Sequence, residues 1–290
     1  MSATANNMAT QSTLELRRRL VGMIGWGVCG IALLLVIGPL LDIVGTVAFN
    51  GLSAFSVKLF TTVSNGTGGG LLNAIEGTVV ISLGAMLIAA PIGVGAGIYL
   101  SEYGNNKLGG VIRFLSDVLT GTPSIVLGYF SYIVFVTSLG WGFSTLAAAI
   151  TIAILIVPYL ARITEIALRQ VPNTMREAGF ALGATEPTVV FKIILPGAVS
   201  GVVTGALLAL AISVGETAPL IYTAGWSNFV WNGKLTHSPI GFLTYVIWTF
   251  IDQPNAQSHA LAFAAAFIVM LVVLAINIGV RLVVRRAKLV

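Results

Sequence analysis

Residues Arg176–Pro196 read REAGFALGATEPTVVFKIILP, a polar, helix-forming stretch in a chain otherwise almost free of charge. Lys and Arg number 15 and Asp and Glu 10 among 290 residues, and 57% of the chain is hydrophobic. A soluble domain carries about a quarter charged residues, so a chain with 9% charged residues reads as a polytopic membrane protein. Charge placed at Arg176, Glu177, Glu186 and Lys192 is then expected to face water or a partner. Pro172 suits the first turn of a helix, and Glu177 near that start complements the helix dipole. Ala178, Ala181 and Ala184 are small enough for a close approach. Gly183 can end the helix in a left-handed conformation, and Pro187 can open a second short helix. The stretch reads as a compact knob, either a docking element or an ordinary amphipathic connector.

Outward from this loop, six apolar runs of membrane-crossing length lie at about 20–48, 71–100, 113–138, 144–168, 193–224 and 258–284. The expected fold is an all-α membrane protein with six transmembrane helices, the second and fifth long enough to tilt or bend. The first run is too long for a signal peptide and no small-residue cleavage site follows it, so it reads as a retained span. Residues 1–19 are expected to form a disordered cytoplasmic N-terminus, 20–70 the first helix and an external loop, and 71–285 the remaining transmembrane domain, with the polar loop at about 172–196.

The cations set the orientation. Arg17, Arg18, Arg19, Lys107, Arg113, Arg162, Arg169, Arg176, Lys192, Arg281, Arg285, Arg286 and Lys288 fall on one side, leaving Lys58 and Lys234 on the other. The positive-inside rule places both termini and the Arg176 loop in the cytoplasm. The net charge of +5 is therefore topological and does not indicate nucleic-acid binding. Ser64–Gly70 reads as a flexible external loop. Trp226–Asp252 is a longer external connection, whose Trp226, Trp231, Tyr245 and Trp248 suit the membrane interface. The single cysteine, Cys29, excludes an intrachain disulfide. His237 and His259 are isolated, and no metal-ligand spacing occurs.

Glu177-Ala178-Gly179, three residues, Gly183, nine residues, Ile193, one residue, then Leu195-Pro196: this spacing resembles the EAA motif of bacterial ABC-importer permeases, with Gly179 where a second Ala is usual. GIYLSEY at Gly97–Tyr103, TGTPSIVLGY at Thr120–Tyr129 and GETAPLIYTAG at Gly215–Gly225 resemble the phosphate-importer permeases, the last string their A-subunit branch. The likeness covers about residues 70 to 285. It implies a type I (MetI-like) importer permease in a bacterial or archaeal inner membrane. Arg176, Glu177, Ala178, Gly179, Gly183 and Ala184 would then form the loop that enters a cleft of a separate ATPase. The implied partners are a second permease of the PstC type, an ATPase dimer of the PstB type, a phosphate-binding protein of the PstS type, and membrane lipid. ATP and Mg would be used by the ATPase, and no cofactor would be bound here. The family pattern places an Arg four residues before the Glu of GET; Ile212 stands there in this chain.

Four acids fall within or near the spans: Asp42, Glu76, Asp117 and Glu216. Such residues usually face protein or water, since burying their charge in lipid is costly. Asp42 and Glu76 suit the external interface. Asp117 lies one turn from Arg113, so an i,i+4 ion pair is expected. Glu216 is deepest, between Gly215 and Pro219, which weaken a helix there. Irregular backbone at membrane depth must face protein or a wet cavity. Glu216, Thr217, Thr122 and Ser124 are thus candidates for a translocation pathway, with helix packing through small residues as the alternative. Gly93, Gly95 and Gly97 read as packing residues. A carboxylate repels phosphate, so Glu216 is protonated, paired with a partner's cation, or structural.

No GxxxxGK[ST] loop is present, so ATP hydrolysis is expected elsewhere and the chain is not read as an enzyme. Alternatives are a permease for another oxyanion (molybdate, tungstate or sulfate), which Ile212 favours, or an ion-coupled secondary transporter working alone, for which no internal repeat is visible.

Overall fold

A computed structural model describes residues 2–287, with side chains described for 18–282 and 284. Arg17, Arg285, Arg286 and Lys288, used above for orientation, lie outside the described side chains. Helix α1 (Ser2–Ser53) includes the polar residues for which composition predicts disorder. They adjoin an apolar helix, and extending a helix needs no new nucleus. Residues to Asn50 form one compact unit and Gly51–Val290 a second, and the rest of the fold concerns the second.

Its elements are α2 (Leu72–Glu102), α3 (Lys107–Gly121), α4 (Ser124–Ser138, ending in a π-helical turn), α5 (Thr145–Arg169), α6 (Asn173–Ala181), α7 (Glu186–Gly215), α8 (Ala218–Thr223), α9 (Leu243–Phe250) and α10 (Ala256–Ala287). Among the described residues five helices are long and apolar enough to cross a membrane, or six if α3 and α4 make one span. That pair corrects the third expected run, 113–138, because α3 and α4 are bent by 100°. Pro123 disfavours helical backbone at Thr122, which is extended (φ −79°, ψ 130°). Asn106 begins α3 as a cap, its side chain accepting from the Gly109 N–H at 2.8 Å.

The fifth expected run, 193–224, also divides. Span α7 begins earlier, at Glu186, contains a π-helical turn at Val190–Ile194 and stops at Gly215. Glu216 is extended (φ −69°, ψ 135°), and Pro219 sits in the first turn of α8, where its missing N–H costs nothing.

Helices α2 and α5 pack closely. Ile81, Ala85 and Ala89 bury against Ala148, Ile152, Ile156 and Leu160. A Cβ on Gly93 would stand 2.6 Å from Leu160 Cβ, and one on Gly97 would overlap Thr164, whereas Gly95 faces open space. Two of the three glycines therefore serve packing. A second cluster joins Leu71, Leu243, Val246, Phe250, Leu261 and Ala265. A third joins Leu168, Val171, Val189, Ile194 and Ala198 beneath the polar loop.

The Trp226–Asp252 connection is a folded cap. Asn73 Nδ2 donates to Ser227 O at 2.7 Å, and Leu243 N–H donates to Thr78 Oγ1 at 2.9 Å. Trp226 stacks on Tyr245 with ring centroids 4.5 Å apart, so these two rings pack within the cap where interface anchors were expected. Trp231 N–H reaches Glu76 Oε2 at 3.3 Å, which turns an expected hydrated carboxylate into a cap anchor. Trp248 remains exposed.

Candidate functional site

The polar loop is built as a helix with a defined stop. α6 starts directly after Pro172, as its fixed φ favours. At its end Gly183 takes φ +78°, its N–H donating to Phe180 O at 2.9 Å, while Ala184 N–H donates to Gly179 O at 3.2 Å. These two bonds make a Schellman stop. The second expected short helix is not separate: Glu186 onward is the first turn of α7. Glu177, Ala178, Leu182 and Gly183 are exposed, Leu182 to 88%, and Ala184 is half-buried.

Two loop residues face inward instead. Gly179 is buried, and a Cβ there would lie 2.7 Å from Ile193 Cδ1 and 3.0 Å from Val189 Cγ2. The departure from the usual Ala thus serves packing within the loop rather than a small outer surface. Arg176 turns back to pair with Glu102 of α2 and donates to Leu168 O at 3.3 Å.

Beside the loop lies an acid that the sequence reading passed over. Glu165, with a side chain 3% exposed, pairs with Arg113 at 2.9 Å, Arg169 at 3.1 Å and Arg162 at 3.3 Å. Arg113 also donates to Gly104 O and Leu100 O, each at 2.9 Å. The expected Arg113–Asp117 pair does not form, because Arg113 is already satisfied across α5. The signal was present, since Arg162 and Arg169 stand at i−3 and i+4 from Glu165.

The two helix breaks lie side by side: a Cβ on Gly128 of α4 would stand 2.5 Å from Pro219 Cα of α8. Thr122, Ser124 and Glu216 consequently line one cavity of about 210 Å³, together with Thr120, Tyr159 and Ile212. Thr244 Oγ1 donates to Glu216 O at 2.7 Å, satisfying a carbonyl that the broken helix leaves free. Thr217 is not part of this group; it lines a separate apolar cavity with Ile125, Tyr222 and Trp248. A further cavity of about 320 Å³, holding Ser116, Asp117 and Arg162, shares Thr120 and Tyr159 with the first. The Thr120 and Thr122 hydroxyls donate to Ser116 O and Val118 O, each at 2.8 Å, so the Ser124 and Tyr159 hydroxyls are the ones in the Glu216 cavity that can donate to an oxyanion. No cation lines the Glu216 cavity itself.

The family model for the binding-protein-dependent transport system inner membrane component matches residues 90–289. The chain is 44% identical over 247 residues to the phosphate transport system permease protein PstA 2 of Mycobacterium bovis, covering 85% of this chain and 82% of that one. It is 41% identical over 242 residues to PstA of Yersinia pestis, covering 82% and 81%. It is 36% identical over 286 residues to PstA of Xylella fastidiosa, covering 97% and 99%. In fold it resembles an inward-facing MetNI methionine ABC transporter chain, with a TM-score of 0.60 at 22% identity, covering 73% of this chain and 95% of that one.

Proposed function

We propose that this chain, which belongs to the family of binding-protein-dependent transport system inner membrane components, is one transmembrane half of an ATP-driven phosphate importer. The observation that carries this reading is the loop ending at Gly183. It is a stopped helix that presents Glu177 and Ala178 and exposes Met175, Phe180 and, to 88%, Leu182, three large apolar side chains within eight residues that mark a surface for a partner. The PstA relatives at 36–44% identity support phosphate as the cargo.

In this reading the loop and both termini face the cytoplasm, and the loop seats in an ATPase dimer of the PstB type, which uses ATP and Mg. A second permease of the PstC type completes the pathway, and a PstS-type protein delivers phosphate from outside. Closure of the ATPases pushes the loop and alternates access to the Glu216 cavity, which Thr122 and Ser124 line and where Ser124 offers its hydroxyl to the anion. The chain catalyses no bond-making step itself.

Ile212 favours a second reading. It lines the Glu216 cavity at the position where the family pattern places an Arg, so another oxyanion such as molybdate, tungstate or sulfate is the alternative cargo. The test is ATP-dependent uptake of labelled phosphate by the four-component complex in vesicles, with molybdate, tungstate and sulfate as competitors. Uptake resisting all three supports phosphate. Uptake without the ATPase would exclude the importer reading and point to a secondary transporter.

A further inference from the structure

We propose that Glu102 is a positioning residue for ATP-driven gating: its ion pair with Arg176 makes the docking helix α6 and the end of α2 move as one body. The proposal rests on the coupling role assigned above to the Arg176 loop, and it gives that loop a receiver within its own chain.

Arg176 opens the EAA-like stretch, yet its guanidinium does not point outward with Glu177 and Leu182. It pairs with Glu102 Oε2, 74 positions earlier, and the Glu102 and Arg176 side chains are 6% and 20% exposed. Ser101 Oγ donates to Glu102 Oε1 at 2.8 Å, so both carboxylate oxygens are engaged. A carboxylate buried to this degree cannot release its cation without leaving an uncompensated charge. The contact therefore resists separation more than an exposed surface pair would.

GIYLSEY, otherwise unexplained by the transport reading, gathers the supporting contacts. Gly97 lets α2 touch Thr164 of α5. Leu100 O accepts from Arg113 at 2.9 Å and from Arg169 at 3.5 Å. Glu102, the last residue of α2, then takes Arg176. On its other side α6 is separated from α7 by the stop at Gly183, and the first turns of α7 include the π-helical turn Val190–Ile194. Such turns interrupt regular helix and are frequent at functional sites. The docking helix thus packs on the start of α7 through Gly179 and is tied to α2 by the Arg176–Glu102 pair. A push on α6 is transmitted to α2. At its other end α2 supports the cap through Asn73 and Glu76.

The test uses the full transporter in lipid vesicles, in a Cys29→Ser background, with spin labels on Thr174→Cys of α6 and Leu87→Cys of α2. With Glu102 present, the label-to-label distance is expected to be the same without nucleotide and with a non-hydrolysable ATP analogue. In Glu102→Gln the two conditions are expected to give different distances. ATPase activity should persist while phosphate uptake per ATP falls about tenfold, the scale of a typical coupling free energy. The swapped double variant, Glu102→Arg with Arg176→Glu, should restore a single distance and most of the uptake. Unchanged distance and unchanged uptake per ATP in Glu102→Gln would overturn the proposal. If Glu102→Gln does not assemble, Arg176→Gln replaces it, opening the same ion pair from the α6 side. Wild-type distance and uptake behaviour in that variant would overturn the proposal equally. A parent complex that binds no ATPase at all would instead overturn the importer reading, so the two failures are distinct.

Discussion

Arg113 passes over Asp117, one turn away on its own helix, and closes on Glu165 of α5, its Nε 2.9 Å from Oε1. One guanidinium thereby joins α3, α5 and, through Leu100 O, the end of α2. The three arginines around Glu165 are not equivalent. Arg113 is 26% exposed and spends its remaining donors on two carbonyls, whereas Arg162 and Arg169 are 56% and 50% exposed.

From that inequality follows an order of losses. Arg113→Ala removes the donor to Gly104 O, leaves Leu100 O with only the long Arg169 contact and strips part of a buried carboxylate, and should cost about 2–3 kcal/mol. Arg162→Ala removes a half-exposed member whose loss is covered by two others, so about 0–1 kcal/mol is expected. Thermal unfolding of the purified chain in detergent measures both. Equal losses would mean that the three arginines share Glu165 evenly.

The glycines of α2 give a second contrast. Gly93→Ala forces a methyl against Leu160 and should destabilise by about 1–3 kcal/mol. Gly95→Ala meets nothing within 4 Å and should be neutral or stabilising by about 0.5–1 kcal/mol through helix propensity. The same unfolding measurement separates them.

Legibility followed the range of the interaction. The loop was readable because its geometry is local: Pro172 and Gly183 fix a start and a stop within a few residues. The break at Gly215-Glu216 was readable too, since glycine and proline act on their own backbone, whereas the 100° bend at Thr122-Pro123 falls inside a run that reads as one span. Local rules could not show that the two breaks meet, bringing Thr122 and Ser124 to Glu216 while sending Thr217 to another cavity. The i,i+4 rule misdirected Arg113 for the same reason, because Glu165 lies 52 positions away and outbids a neighbour. Arg176 read as an outward charge until Glu102 was placed beside it.

The outward face of the loop can be tested apart from its fold. Leu182→Asp changes a side chain 88% exposed, so chain stability should move by less than about 0.5 kcal/mol. ATPase co-purification should nevertheless fall about tenfold or more, as for a lost apolar anchor at an interface. Gly183→Leu, by contrast, strains a φ of +78° and should cost about 1–3 kcal/mol while also misdirecting the loop. Binding that survived Leu182→Asp would place the ATPase contact elsewhere.

Glu216 and Ile212 line one cavity and stand one helical turn apart in sequence, so the charge of Glu216 can be read with an inserted cation. An arginine at membrane depth costs about 2.5–3.5 kcal/mol when unpaired. If Glu216 is ionised and open to the cavity, Ile212→Arg gains a partner in the parent chain and none in a Glu216→Gln background. The double-mutant cycle should then show a favourable coupling of about 1–3 kcal/mol in detergent unfolding. A coupling near zero would mean that the carboxylate is neutral. The proposed partner-subunit cation would then be unnecessary. A favourable coupling would mean that this half carries an uncompensated negative charge in the pathway, which a cation of the second permease must offset before phosphate can enter.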